Sequence, residues 1–116
     1  MTPEIAVQNL VCGYLRRLGI FFWKNDSVGI FDPRTQRYRR NNSPFKIKGV
    51  ADILGILPSG RFLAIELKSE RGRCTPEQTA FLSQIKASGG VAFVARSIKD
   101  VEEGLHEYIG QGSATK

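Results

Sequence analysis

Scarcity narrows this 116-residue sequence before any motif does. Two cysteines, Cys12 and Cys74, are too few for a disulfide framework or a cysteine-based zinc site. The lone histidine, His106, falls in an acidic stretch and supports neither zinc ligation nor histidine-based hydrolysis. No apolar run approaches the roughly 18 residues that a membrane-spanning helix needs, because charges interrupt the longest ones. The N-terminus lacks the basic-then-apolar layout of a signal peptide; Glu4 stands where the positive region would be. No G-x-x-x-x-G-K pattern occurs, so Pro58-Ser59-Gly60 reads as a turn and not as a phosphate loop. These absences predict a cytoplasmic, single-domain protein, with 41% apolar residues to build one modest core.

What the chain does have is positive charge. Seventeen Lys and Arg against eleven Asp and Glu give a net charge of +6. Between residues 33 and 51 stand Arg34, Arg37, Arg39, Arg40, Lys46 and Lys48 without a single carboxylate. The acidic residues Asp100, Glu102, Glu103 and Glu107 gather near the other end. A basic excess confined to one segment points to a phosphate-rich partner, and these six cations are the candidate DNA-binding residues.

Periodicity supplies the frame. Thr2, Pro3 and Glu4 have the grammar of a helix start, and Val7, Leu10, Val11, Tyr14, Leu15 and Leu18 recur at helical spacing. Residues 20–23 read as a strand. A hairpin is expected around Asp32-Pro33, then a loop through Asn41-Asn42-Ser43-Pro44. Residues 51–57 and 61–67 are two apolar strands joined by Pro58-Ser59-Gly60, and both read as central and covered on two faces. Thr75-Pro76-Glu77-Gln78 opens a helix that buries Phe81, Leu82 and Ile85. Residues 91–95 form a further strand, parallel to 61–67 through a right-handed crossover. A last helix over 97–109 turns Ile98, Val101, Leu105 and Ile109 inward. The fold class is α/β, a mixed sheet flanked by helices, with one domain over 1–110 and a flexible tail over 111–116.

The hairpin brings two acids together. If residues 58–60 form the loop, Leu57 faces Arg61 and facing residues have numbers summing to 118. Asp52 and Glu66 obey that sum, so they lie opposite one another with Cβ atoms roughly 4.5–5.5 Å apart. Facing carboxylates on core strands repel each other and resist desolvation, unless a shared proton or a hard divalent cation offsets the cost. Lys68, two residues on, projects from the same face as Glu66, and the Leu67 carbonyl between them offers another oxygen. An acid pair, a lysine and a nearby basic segment suit phosphodiester hydrolysis assisted by Mg2+. Trp23, Tyr38 and Phe45 read as core aromatics in preference to base-stacking platforms.

Asp52 followed by Glu66-Leu67-Lys68 resembles the PD-(D/E)xK nuclease signature, whose restriction-endonuclease-like α-β-β-β-α-β core matches the order above. Glu4, Gly49-Val50-Ala51-Asp52, Glu66-Leu67-Lys68-Ser69 and Thr75-Pro76-Glu77-Gln78 together resemble the virus-type replication-repair nuclease (VRR-NUC) domain, which also forms the catalytic part of the Fanconi-associated nuclease. The likeness extends over residues 2–109, with Ala51 where the signature has Pro, and fits the stand-alone form of phages and bacteria. It implies a homodimeric, Mg2+- or Mn2+-dependent endodeoxyribonuclease that cuts Holliday (four-way) junctions or other branched DNA. It implies that Asp52, Glu66 and the Leu67 carbonyl bind metal, that Lys68 is catalytic, and that Glu4 and Gln78 complete the site, Glu4 reaching the metal directly or through water. From the residues alone, Glu4 also reads as a helix-dipole acid and Gln78 as the partner of Thr75 in a capping box. The rival readings are a binding module that keeps a nuclease fold without cleavage, and a sequence-reading restriction-type nuclease.

Overall fold

A computed structural model describes residues 3–25, 30–39 and 43–114, which leaves Thr2 and Arg40 outside the described residues. The first helix, α1 (Pro3–Arg17), has Glu4 in its first turn and Arg16 and Arg17 in its last, each sign matched to the helix dipole. Val11 and Leu15 are fully buried, with Val7, Tyr14 and Leu18 packed beside them. Leu10, expected inside, is exposed; it lies about a quarter-turn off the centre of that stripe. Strand β1 (Phe21–Lys24) follows.

β2 (Ile30–Asp32) and β3 (Arg37–Arg39) form the expected hairpin. Asp32 closes its turn, accepting Gln36 N–H at its carbonyl (2.8 Å) and Arg34 N–H at its carboxylate (3.0 Å). Tyr38 and Phe45, expected in the core, are exposed, Phe45 by 89%.

β4 (Ile53–Ile56) and β5 (Phe62–Leu67) pair antiparallel, with Ile53 opposite Ile65 and Ile56 opposite Phe62. The facing pairs sum to 118. Leu57 N–H bonds the Arg61 carbonyl at 2.9 Å, which closes the three-residue loop and holds that register. The chain then enters α2 (Pro76–Ala87), β6 (Val91–Ala95) and α3 (Ile98–Ala114). α3 continues past residue 109, where the sequence pattern ends it. Glycines 110 and 112 stand in its last turns, where each costs a helix only about 1 kcal/mol relative to alanine. Among the described residues, no helix is long and apolar enough to cross a membrane.

The four-stranded sheet runs β1-β4-β5-β6, antiparallel except for the parallel β5–β6 pair. α1 and α3 cover one face, around Ile53, Leu63, Ile65, Leu67, Val101 and Leu105. α2 covers the other, over Ala64, Ala92 and Leu82, and reaches only β5 and β6. β5 is therefore the doubly covered strand that its sequence predicts. β4 is not: Ile56 is exposed, and so are Phe21 and Trp23 beside it, because among the described residues no helix covers that half of the sheet on the α2 face. Trp23 leans on Phe21 and Phe62, at 5.6 and 6.3 Å between ring centres, at the rim of this open surface instead of in the core.

The approach to β4 is fixed by one glycine. Gly49 has φ of +79°, and a Cβ there would run into the main chain of Glu77 and lie 2.6 Å from the Gln78 nitrogen. Glycine thus lets the strand carrying Asp52 lie directly on the first turn of α2. Gly49→Ala is expected to destabilise the protein by about 2–4 kcal/mol, from the positive φ and overpacking combined. Gly13→Ala, inside α1 where a Cβ would meet the Arg17 guanidinium at an ordinary 3.6 Å, is expected to gain up to about 1 kcal/mol. Urea unfolding of both variants checks the contrast.

Candidate active site

The hairpin register delivers the two acids as the sequence places them. Asp52 immediately precedes β4 and Glu66 lies within β5, on the sheet face that α2 covers. The Asp52 carboxylate accepts Leu67 N–H through Oδ2 at 2.8 Å, so a side chain continues the ladder where the strand stops. In an extended strand a residue's N–H and C=O point the same way, so the Leu67 carbonyl is directed toward the Asp52 edge. Lys68 N–H points oppositely, to the Ala95 carbonyl at 3.1 Å. On the far side Asn25 N–H holds the Asp52 carbonyl at 2.8 Å. Asp52 is tied to both neighbouring strands.

Glu66 is only 2% exposed. Its Oε2 accepts Gln78 Nε2 at 3.1 Å and lies 3.3 Å from Lys68 Nζ. Gln78 performs both tasks that the sequence left as alternatives. Its Oε1 accepts Thr75 N–H (2.9 Å) and its N–H donates to Thr75 Oγ1 (3.1 Å), which completes the capping box. Its Nε2 is thereby aimed at Glu66.

The other carboxylate oxygen, Glu66 Oε1, is buried and has no hydrogen-bond partner. A buried polar atom without a partner calls for an explanation. Burial, and then the charge of Asp52, push the Glu66 carboxyl up to about 7, while Lys68 opposes them. Two facing carboxylates, one of them with an orphaned oxygen, and a main-chain carbonyl directed to the same edge form an all-oxygen donor set that suits a hard divalent cation such as Mg2+ or Mn2+.

The remaining sequence candidates stand further off. Glu4 is exposed on α1, which packs on the opposite face of the sheet. Among the described residues no third Asp, Glu, His or Cys joins the pair. Arg34, Arg37, Lys46 and Lys48 are exposed, Arg34 with its own Asp32 at 3.8 Å. His106 is exposed on α3, and both cysteines are free and half-buried. The sequence places Gly49 in the family motif without a structural role, yet a glycine two residues before the acid-bearing apolar run marks a close backbone approach.

The acid pair sets a pH dependence. Folded Glu66 keeps its proton up to about pH 7, whereas its ordinary value is 4.5. Between those values the folded state binds more protons than the unfolded one, so stability falls as pH rises through that window, by roughly 3 kcal/mol in the metal-free protein. Thermal unfolding between pH 4.5 and 8 is expected to show this loss in the wild type and a much flatter profile in Glu66→Gln. Added Mg2+ should raise the midpoint at pH 8 in the wild type alone.

A family model described as the VRR-NUC domain matches residues 33–99, which include both acids, Lys68 and Gln78. Two solved structures are similar to the chain. One, titled VRR_NUC domain, is 26% identical with a TM-score of 0.64, and the match covers 93% of this chain and 98% of that one. The other, titled VRR_NUC domain protein, is 22% identical with a TM-score of 0.64, over 92% of this chain and 88% of that one. No curated protein matches the chain. Because the family match spans more than half of the residues and holds the acid pair, the chain belongs to the VRR-NUC family and carries its nuclease-type fold.

Proposed function

We propose that this protein is a divalent-metal-dependent DNA endonuclease, selective for branched duplexes, four-way junctions foremost, and active as a homodimer. The observation that carries the proposal is Glu66 Oε1, buried without a partner opposite Asp52. Asp52, Glu66 and the Leu67 carbonyl would hold the cation, which supplies positive charge to the scissile phosphate and lowers the pKa of water when bound.

The protein's own groups do the rest. Gln78, anchored by its capping box, donates to Glu66 Oε2 and so holds the carboxylate by that oxygen. The Lys68 ammonium, 3.3 Å from Oε2, balances one negative charge of the pair. From there it can orient the attacking water and stabilise the charge that builds on phosphorus. The exposed cations Arg34, Arg37, Lys46 and Lys48 engage backbone phosphates, which read shape and not base sequence. One site makes one cut. Resolution of a four-way junction takes two symmetric cuts, which a two-fold dimer provides.

End-labelled four-way junction, matched duplex and single strand, each incubated with Mg2+, Mn2+ or EDTA, test the proposal. Paired cuts near the crossover are expected with metal, at least a thousandfold slower in Asp52→Asn, with binding that weakens steeply as salt rises. Tight junction binding without cleavage at any metal concentration would make this a binding module. Equal cutting of unbranched duplex would remove the structure selectivity.

A further inference from the structure

The parallel pairing of β5 with β6 sets Leu67 beside Ala95, so the next residue on each strand, Lys68 and Arg96, leave the sheet side by side. Arg96 is held at its main chain. Its N–H donates to Asp100 Oδ2 at 2.8 Å, and Asp100 N–H in turn donates to Ser97 Oγ at 3.3 Å, which anchors the start of α3. Its guanidinium reaches across to the segment that follows Lys68. There NH1 donates to the carbonyls of Ser69 and Gly72, each at 2.6 Å, with the Glu70 carbonyl at 3.5 Å.

Those carbonyls converge because residues 69–72 form a closed turn, with Gly72 N–H on the Ser69 carbonyl at 3.1 Å. The turn folds back on the lysine. A Cβ at Gly72 would lie 3.0 Å from Ser69 Oγ and in ordinary contact with Lys68 Cδ at 3.5 Å, so the main chain of the turn runs close beside the lysine stem. Lys68 has a long flexible stem, and its ammonium pairs with Glu66 Oε2. A turn pinned against that stem restricts where the ammonium goes.

We propose that Arg96 is a positioning residue for Lys68: by gathering the carbonyls of residues 69–72 it clamps the turn on the lysine stem and keeps the ammonium on Glu66. The inference rests on the active-site reading above, and Arg96 itself touches no reacting atom. Arginine suits the task because its guanidinium is always charged and more weakly hydrated than an ammonium, so Nη1 gives up little water to donate to these carbonyls.

Single-turnover cleavage by Arg96→Ala, Arg96→Lys, Lys68→Ala and the Arg96→Ala/Lys68→Ala double variant tests it. Arg96→Ala is expected to slow the chemical step by about tenfold to a hundredfold. Half-saturating DNA should stay within about twofold and the salt dependence unchanged, with partial recovery in Arg96→Lys. The double variant should be no slower than Lys68→Ala, since the arginine acts through the lysine. A second readout needs no cleavage: carbon-13 relaxation at the Lys68 ε-carbon should report a more mobile side chain in Arg96→Ala while the thermal midpoint stays within about 3 °C. Additive losses, or weaker DNA binding with a shallower salt slope, would show direct phosphate contact and overturn the proposal. So would a lowered midpoint with unchanged Lys68 mobility. If the wild type cuts no DNA, the active-site reading fails, and the relaxation measurement still decides whether Arg96 holds Lys68.

Discussion

Everything at the site depends on two like charges held face to face by a three-residue loop. The hydrogen bond from Leu57 to Arg61 fixes the loop, the loop fixes the register, and the register sets Asp52 against Glu66. Left alone, such a pair pushes its strands apart or loses a charge. The surrounding bonds answer that pressure one by one: Leu67 N–H on Asp52, Gln78 and Lys68 on Glu66. Among the described residues one buried carboxylate oxygen, Glu66 Oε1, remains unanswered, and that remainder is what marks the place as a site instead of a well-satisfied core.

The asymmetry of the sheet decides where substrate can approach. α1 and α3 seal one face, while α2 spans only β5 and β6 on the other. The acids lie on the α2 face, and next to it β1 and β4 display Phe21, Trp23 and Ile56 without a helix over them. Anything that reaches the acid pair from that side meets an open, apolar floor. A fuller helical layer would stabilise the sheet and bury the chemistry with it.

Much of this was legible in the sequence because its rules are local. The 118 sum needed only a loop length and the two-residue period of a strand. The parallel β6 needed only a helix between two strands, and α2 announced itself through Thr75 and Gln78. What escaped depends on shape beyond the neighbouring strand. Leu10, Ile56, Tyr38 and Phe45 are apolar or aromatic, and their exposure follows from where helices happen not to lie, which no periodicity records. Arg96 escaped because its role is to main-chain carbonyls, and carbonyls have no signature in a sequence.

The divided amide of Gln78 has a consequence for how this fold can vary. Its oxygen closes a helix cap and its nitrogen holds the acid, so the position needs an acceptor and a donor on one side chain of that length. Glutamate would cap and then repel Glu66. Lysine would meet Glu66 and leave the cap open, and asparagine is a methylene too short for the same reach. Two demands that differ in kind, one on folding and one on chemistry, meet in a single side chain. The helix start and the acid pair therefore cannot drift apart in sequence independently: relaxing one leaves the other without its partner.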